Sequence, residues 1–359
     1  MLKPILSISA LCLAVACGST NPFDAEEGDG GDSGSGTGGD SSGISSDGLP
    51  PGTTSPTPDT GIVRSEPTQA GDAARYGNGF ANSIAYNAAS DTFFVDGLAF
   101  DGDQPNGTPY TRAVPGNLRS YALYEAPASH PDFLDNDPIA QFTHRALYGV
   151  SPTGDTQFAI IRTGNYVEYG FGGFVYQRDG GVVLPTQGQA TYSGDYGGLR
   201  DFNGQGGLEY VTGDIQIDVD FSGFNGNCTG NACANAIRGY VYNRNIFGLD
   251  GSDRTSDYVA ALNEDLPAGV APATGMPVIR FVIGPSVMDA NGEATGEAIT
   301  TDPEGNPLDT GNYYVVMSGD HTAAPGGEIV GIIVIEGGDP RYQNLDVEVR
   351  ETGGFIATR

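Results

Sequence analysis

The feature that most constrains this fold is a strand-like segment in which glycines stand where a strand normally carries bulky side chains. The segment LPTQGQATYSGDYGGLRDF, residues 184–202, places Ala190, Tyr192, Gly194 and Tyr196 on one face, because side chains alternate along a strand. The interior of a small barrel has room for only some large side chains, so large and small residues alternate there. Glycine also lets a strand bend where a sheet closes. The pattern therefore favours a barrel strand over the alternative, a strand of a flat sandwich.

The segments that follow repeat the strand pattern at short intervals. GDIQIDVDF places Ile215, Ile217, Val219 and Phe221 on one face and polar residues on the other. Five further segments read as strands separated by turns, without helices: AIRGYVYNRNIF, MPVIRFVIG, YYVVMSG, EIVGIIVIEG and DVEVRETGGFIATR. About eight strands of this kind predict a meandering antiparallel sheet, which avoids exposed edges most simply by closing into a barrel.

Residues 75–180 predict a smaller β domain that precedes the barrel. SIAYNAASDTFFVDGLAF reads as a hairpin, and residues 127–138 read as a loop. The strands expected here lie at 84–86, 92–96, 121–125, 142–149 and 157–162, followed by the glycine-rich pair YVEYGFGGFVYQ. The predicted fold class is therefore all-β, with a small domain over residues 75–180 and an eight-stranded antiparallel barrel over residues 181–359.

The N-terminus, MLKPILSISALCLAVACGST, has the form of a secretion signal. A single positive charge at Lys3 precedes an apolar run that is too short to span a bilayer stably. The run ends in AVAC and so resembles a bacterial lipoprotein signal peptide, in which residues 1–16 are removed and Cys17 becomes the acylated, palmitate-bearing first residue. Several acyl chains together hold a protein on a membrane where one chain does not. Gly18 favours the outer membrane by resemblance to enterobacterial sorting; the alternative is an ordinary cleaved leader with an incidental cysteine.

Residues 17–74 are predicted to be a disordered acidic tether behind this anchor. The segment is rich in Gly, Ser, Thr, Pro and Asp, and residues 18–60 contain eight acidic residues and no basic one. Such a chain buries too little apolar area to offset the entropy lost on ordering, and its like charges repel. Across the whole sequence 45 acidic residues stand against 16 basic ones, a net charge of −29. A surface this negative repels phosphate backbones, so nucleic acid is excluded as a partner.

Cys228 and Cys233 lie close together in NGNCTGNAC, separated by residues that favour a turn. Disulfides persist in exported proteins, so we expect these two cysteines to form a disulfide that staples the loop. A metal site is the alternative, but it would need further Cys or His ligands nearby, and none is evident in the sequence. The sequence predicts neither a metal site nor a cofactor.

These motifs together resemble one family of surface lipoproteins. The segments LPTQGQATYSGDYGG, GDIQIDVDFSGF, AIRGYVYNR, GEIVGIIVIEG and GGFIATR resemble the barrel domain of transferrin-binding protein B, which also occurs in factor H-binding protein and related surface lipoproteins. The positions that match the family pattern are Gly188, Ala190, Tyr192, Gly194, Val219, Asp220, Phe221, Glu328 and Gly331. The resemblance covers residues 181–359, and residues 75–180 look like the small handle domain that precedes such barrels.

The resemblance implies a lipid-anchored, non-enzymatic binding module on the outer membrane, displayed at the cell surface. Relatives capture host proteins or haem carriers, so the implied ligand is a protein or a metal- or haem-bearing molecule. The implied partners also include the membrane, an outer-membrane receptor and an export protein. The sequence assigns no ligand-binding residue. Two alternatives stay open: a structural or envelope-interaction lipoprotein without a soluble ligand, and a hydrolase with a site built from loops.

The histidines give little support to the hydrolase alternative. His130, His144 and His321 are scattered along the chain, without the spacing of a zinc site. No Gly-x-Ser-x-Gly nucleophile motif accompanies them. The sequence therefore predicts no catalytic residues.

Two acidic turns and two tyrosines have alternative interpretations. The turns at residues 101–108 and 289–297 loosely suggest calcium loops, but neither has the spacing of the twelve-residue calcium-binding loop. Solvated turns are the favoured interpretation. Tyr166 and Tyr169 either anchor a partner, as aromatic residues often do, or fill the sheet. We favour the second role.

Overall fold

The alternating segments before residue 180 pair into an antiparallel sheet that curls over one of its own faces. The computed structural model describes residues 49–66, 81, 83–98, 101–102, 108–165, 169, 171–223, 237–264, 266–281, 288–345 and 347–359. The strands before residue 180 are β1 (Ile62–Ser65), β2 (Ser83–Asn87), β3 (Thr92–Asp96), β4 (Thr108–Leu118), β5 (Tyr121–Glu125), β6 (Ser129–Pro131), β7 (Pro138–Ala140), β8 (Arg145–Val150), β9 (Thr156–Arg162) and β10 (Gly172–Arg178). Eight of them pair in the order β1-β10-β9-β8-β5-β4-β3-β2, which we call the handle sheet.

Three parts of this region differ from the sequence predictions, and one of them is the eleven-residue strand β4, which the sequence analysis did not identify. Strand β1 lies within residues 17–74, the range assigned to a disordered tether, and pairs along its length with β10. Ordered structure therefore begins earlier than predicted. Strands β6 and β7 form a separate hairpin between β5 and β8, in the region predicted to be a loop. The sequence does not reveal these short strands because each contains a proline, at position 131 or 138, and proline weakens the strand pattern.

The chain after residue 180 closes into a barrel, as the sequence predicts. Its strands are β11 (Val182–Val183), β12 (Gln189–Asn203), β13 (Leu208–Asp220), β14 (Ile237–Gly248), β15 (Ile279–Phe281), β16 (Glu293–Thr301), β17 (Pro307–Asp320), β18 (Glu328–Gly338) and β19 (Glu348–Thr358). From β12 to β19 each strand pairs antiparallel with the next, and β19 pairs with β12. The two-residue β11 adds parallel to β17. The predicted all-β fold with an eight-stranded antiparallel barrel is confirmed.

A short helix interrupts the all-strand pattern. Helix α1 (Thr255–Leu262) lies between β14 and β15, where the sequence analysis expected only a loop. Tyr258 and Leu262 are buried and lie four positions apart, so they share one face of the helix. These two are the buried residues of the helix, and one buried pair over eight residues is too little for the helical period to appear in the sequence.

Inside the barrel, aromatic rings lie where a neighbouring strand carries a glycine. Tyr313 pairs with Gly296, and a side-chain carbon added to that glycine would lie 2.7 Å from the tyrosine hydroxyl. Comparable contacts place Phe355 over Gly331, Tyr196 over Gly353 and Phe281 over Gly239. Tyr192 and Tyr196 belong to the same interior cluster. The alternation of large and small residues predicted from β12 therefore fills the barrel with side chains.

The barrel wall packs against the handle sheet through an apolar contact. The barrel contributes residues on the outer side of its wall. The handle sheet contributes one of its two faces, the one that β3 and β4 do not cover. The residues in this contact are Leu199, Tyr210, Val316, Val330, Ile332 and Ile356 of the barrel and Tyr121, Leu123, Leu147, Phe158, Ile160, Phe174 and Tyr176 of the handle. Burial of apolar area is the main force that holds two such layers together. The described residues all belong to one compact unit, residues 39–359.

Buried ion pairs join the same two layers. Arg64 of β1 forms a two-pronged pair with Glu293 of β16, with both N···O distances at 2.7 Å. Arg162 of β9 donates to Glu66 and to Thr352 of β19, each at 2.8 Å. Burial would raise the pKa of Glu66, but Arg162 and Arg350 outweigh it and lower that pKa. Bidentate geometry makes such pairs specific, so they fix how the handle sheet is oriented on the barrel.

Candidate functional site

The most exposed large apolar side chain among the described residues lies at the tip of the β6–β7 hairpin, and Val114 of β4, 86% exposed, is the next. Phe133 is 90% exposed and Leu134 is 78% exposed. We call residues Asp132 to Asp137 the hairpin tip. Large exposed apolar side chains that lie side by side mark surfaces that bind partners, because each costs free energy while it faces water. Sequence reasoning missed this site because it treated the region as a loop.

The hairpin tip is held in one conformation by its own polar groups. The Asp132 carboxylate accepts a hydrogen bond from the Leu134 N–H at 2.7 Å, and the Asp135 carboxylate accepts one from the Asp137 N–H at 3.1 Å. The Asp132 N–H donates to the Asp137 carbonyl at 2.8 Å and closes the loop. Asn136 adopts the left-handed conformation, with φ at 62°, which asparagine tolerates better than most residues. A fixed tip loses little entropy on binding.

The hairpin tip carries three carboxylates and no basic side chain. Asp135 and Asp137 are exposed, and Asp132 is half-buried, around Phe133 and Leu134. Elsewhere in the described part of the chain, many basic groups are turned inward. Six arginines are buried, namely Arg64, Arg145, Arg162, Arg178, Arg200 and Arg244. Eight acidic side chains are buried as well, so burial does not reverse the strongly negative balance of the sequence, and the tip presents an apolar pair beside acidic groups.

A buried network of charges supports one end of the barrel. Arg200 donates to Glu209 at 2.7 Å and to Asp339 at 3.1 Å, and Arg341 donates to both of these acids at 2.7 Å. Burial would lower the pKa of Arg341, but its bonds to Asp339 and Glu209 outweigh this effect and raise that pKa. Every charge in this network has an opposite partner, which is the condition under which buried charges persist. We call it the arginine network.

The arginine network continues to the barrel strand β14. Arg244 donates to Glu351 at 2.5 Å, and Glu351 also accepts a hydrogen bond from Tyr196 at 2.9 Å. Arg244 further donates to the carbonyl of Pro277 at 2.7 Å. The network therefore ties β12, β14 and β19 to the segment that leads into β15. It fixes the walls of a groove that opens there.

This groove opens because β14 and β15 separate. Within the described residues, the two strands pair through Tyr240 with Arg280 and Val241 with Ile279. Beyond this point Asn243 has φ at 51°, where β14 shifts register against β13 in a bulge, and Pro277 has no N–H to donate. The resulting groove has a volume of about 1010 Å³ and lies between β14, helix α1 and residues 273–278. We call it the lateral groove.

A smaller, mostly apolar cleft of about 410 Å³ lies near the end of the same barrel. Its lining includes Leu262, Leu308, Leu345 and Val347, and its rim includes Asp302 and Glu304. The Asp302 carboxylate accepts hydrogen bonds from the N–H groups of its own turn, among them that of Glu304 at 2.9 Å. These bonds stabilise the turn and satisfy the Asp302 carboxylate within it.

Two of the three histidines are inaccessible to a substrate. His144 and His321 are fully buried, and burial lowers the pKa of each, that of His321 to about 4. His321 shares a 2.6 Å hydrogen bond with the hydroxyl of Tyr192 inside the barrel. His144 contacts the Phe142 carbonyl at 3.2 Å. Because a general base must reach the proton that it removes, these two side chains are packing residues rather than catalytic ones.

The segment 289–297 was predicted to be a turn, but it is a turn only up to residue 292, because strand β16 begins at Glu293. The Asp289 carboxylate accepts hydrogen bonds from the N–H groups of Asn291 and Glu293, each at 2.9 Å. Glu293 itself is paired with Arg64. In the described residues, no group of three or more His, Cys, Asp or Glu side chains is arranged to hold a metal ion. The turn at 101–108 is described only in part.

Of the remaining residues that the sequence analysis singled out, Tyr169 is described by the structure and four others are not. Tyr169 is partly buried, and its ring lies 4.4 Å from the Arg350 guanidinium, a packing role of the kind favoured by the sequence analysis. Tyr166, Cys17, Cys228 and Cys233 lie outside the described residues, so the lipidation and disulfide assignments stay predictions. Within the described part of the chain, no helix is long and apolar enough to cross a membrane.

The site thus belongs to an all-β protein in which a curled sheet packs on a closed barrel. No family model matches the sequence, and no curated protein is similar to it. Two crystal structures of mutants of the vaccine antigen transferrin binding protein B from Haemophilus parasuis Hp5 are similar to this chain. The double mutant has a TM-score of 0.36 and 11% identity, over 76% of this chain and 44% of that one. The single mutant has a TM-score of 0.34 and 12% identity, over 77% and 45%. This chain therefore spans less than half the length of those structures.

Proposed function

We propose that this chain is a lipid-anchored lipoprotein of the outer membrane, displayed at the cell surface, that captures a protein ligand without catalysis. The observation that carries the proposal is the pair Phe133 and Leu134 at the rigid hairpin tip. The lipobox-like AVAC before Cys17 and the acidic segment behind it support anchoring and display. The sequence resemblance to the barrel domain of transferrin-binding protein B supports a role in capture.

The chemistry of the hairpin tip specifies the kind of protein that fits it. Two adjacent apolar side chains insert best into an apolar pocket, and fully burying each contributes about 1.5–3 kcal/mol. The surrounding Asp132, Asp135 and Asp137 favour a rim of lysine or arginine on the partner, because opposite potentials speed and orient association. The ligand is therefore a protein with a basic-rimmed apolar pocket, whether or not it carries a metal or haem.

A photo-crosslinking experiment on intact cells tests this proposal. A photoreactive amino acid replaces Phe133 in the full-length lipoprotein, and a matched variant carries it at Val183, which is 55% exposed on the barrel side of the chain. We expect one discrete crosslinked protein from position 133 and none from position 183. The crosslinked protein should be absent when Leu134→Asp is added, because a buried charge without a partner opposes docking.

Protease treatment of the same cells separates capture from the structural alternative. A surface-displayed protein is cleaved in intact cells, and mass spectrometry of its N-terminal peptide should show an acylated Cys17. A chain that is cleaved only after the outer membrane is opened, and that gives no product specific to position 133, would support an envelope-interaction lipoprotein and contradict the proposal.

A further inference from the structure

The lateral groove has a chemical character unlike the rest of this acidic chain. Of the residues that line it, only Arg244 and Asp253 carry a charge. Arg244 is buried and paired with Glu351, and the Asp253 carboxylate accepts a hydrogen bond from the Thr255 N–H at 2.8 Å. The accessible wall therefore carries a single exposed charge, the carboxylate of Asp253, in a protein whose net charge is −29. A groove of this kind selects for a neutral polar ligand.

The wall offers hydroxyl and amide oxygens together with an exposed aromatic ring. Tyr242 is 36% exposed, and Ser256 and Thr274 are exposed at the groove. Among the described residues, the hydroxyl groups of Ser256 and Thr274 and the side-chain carbonyl oxygens of Asn243 and Asn245 bond to no other group of the protein. The amide of Asn243 is oriented by its bond to Asp214 at 2.7 Å. These groups are arranged to exchange hydrogen bonds with a ligand.

We propose that the lateral groove binds a neutral oligosaccharide. Sugar hydroxyl groups both donate and accept hydrogen bonds, so they match hydroxyl and amide side chains, while the apolar face of a sugar ring packs on an aromatic ring such as Tyr242. The groove volume of about 1010 Å³ exceeds the need of a single sugar. This binding is independent of the hairpin tip.

An extended peptide fits the groove less well because the neighbouring strand edge is already used. Ile246 of β14 donates its N–H to the Thr255 hydroxyl at 2.9 Å and accepts a hydrogen bond from Arg254 at 2.9 Å. Gly248 donates to the Ser252 carbonyl at 2.8 Å. A peptide that adds to a sheet needs free N–H and C=O groups along the edge. The side chains of the groove therefore provide the recognition.

The test measures binding of the full-length, detergent-solubilised protein to an array of immobilised neutral oligosaccharides and their sialylated and sulfated counterparts. We expect binding to at least one neutral oligosaccharide and weaker binding to its charged counterparts. Tyr242→Ala should weaken that binding at least about tenfold, since a lost aromatic contact of roughly 1.4 kcal/mol gives this ratio. Ala260→Trp, on the exposed face of α1, should fill the groove and abolish binding.

The matched control is Tyr86→Ala, the same change at a tyrosine that is 41% exposed on the handle sheet. It should leave oligosaccharide binding unchanged, and so should Phe133→Asp at the hairpin tip. Thermal unfolding of each variant shows that the fold is kept. Binding to no neutral oligosaccharide on the array would overturn the proposal. Equal binding by wild type, Tyr242→Ala and Ala260→Trp would overturn it as well.

Discussion

At the scale of the residue, Tyr121 shows how one hydroxyl group joins the two layers of the protein. It accepts a hydrogen bond from the Ile356 N–H of β19 at 3.0 Å and donates to the Asp195 carbonyl of β12 at 2.5 Å. The pairing of β12 with β19 is interrupted between Ser193 and Tyr196, so this handle residue takes the place of missing strand contacts. Burial raises the pKa of Tyr121, so the hydroxyl stays protonated at all physiological pH values.

Tyr121→Phe should destabilise the protein by about 1–3 kcal/mol, because it leaves a buried N–H and a partly buried carbonyl without their partner. The measurement is the free energy of unfolding from denaturant titration. Tyr242→Phe, which removes a hydroxyl that faces solvent, is the matched control and should change stability by less than about 0.5 kcal/mol. Equal stability of wild type and Tyr121→Phe would show that the hydroxyl does not join the layers.

His321 predicts a pH dependence of stability. Burial lowers its pKa from the ordinary 6.5 to about 4, so the folded chain resists protonation that the unfolded chain accepts. The stabilisation is complete above pH 6.5 and is lost as the pH falls toward 4. Between pH 7 and pH 5 the wild type should lose about 2 kcal/mol more than His321→Gln, as measured by unfolding at both values. An identical loss in both proteins would contradict this assignment.

At the scale of the element, most strands of the barrel were predictable because inward and outward residues alternate along them in the sequence. Strands β4, β11 and β16 were not identified, and three further elements escaped prediction for physical reasons. Strand β1 is four residues long and lies in a segment of low complexity, helix α1 shows a single buried i,i+4 pair, and the strands of the β6–β7 hairpin are three residues long and contain proline. Such elements are stabilised by contacts with segments that are distant in sequence. A local sequence pattern contains no information about those contacts.

The candidate sites were less predictable than the fold. The sequence contains Phe133 and Leu134, but only the structure shows that nothing covers them. The lateral groove depends on the point at which β14 and β15 stop pairing. Asn243 and Pro277, which are far apart in the sequence, determine that point together. Solvent exposure and strand separation are properties of the folded chain, so motifs cannot reveal them.

The arginine network belongs to the same scale because it holds several strand ends at once. Glu351→Gln would leave the buried Arg244 and Arg200 without one of their anionic partners, which should cost about 3–5 kcal/mol. The free energy of unfolding in denaturant checks this, with Glu297→Gln as the exposed control in β16. A stability loss no larger than that of the control would mean that the network does not hold the barrel end.

At the scale of the whole molecule, buried arginines are accompanied by buried acids, and the excess of acidic residues leaves the surface negative. Arginines join the handle sheet to the barrel and support the barrel end, while most carboxylates face solvent. The exterior therefore repels polyanions and attracts basic proteins. Within this acidic exterior, the hairpin tip offers apolar contact and the lateral groove offers neutral hydrogen-bonding groups. The two sites suit ligands of different chemistry.

The affinity of the crosslinked partner for the full-length protein tests the central claim most directly. We purify the protein captured at position 133 and measure its dissociation constant at low and high salt. We predict that Phe133→Ala weakens binding at least about tenfold, that Val150→Ala, a half-exposed handle residue, leaves it unchanged, and that added salt weakens wild-type binding. An affinity that is the same for wild type and Phe133→Ala would contradict the account.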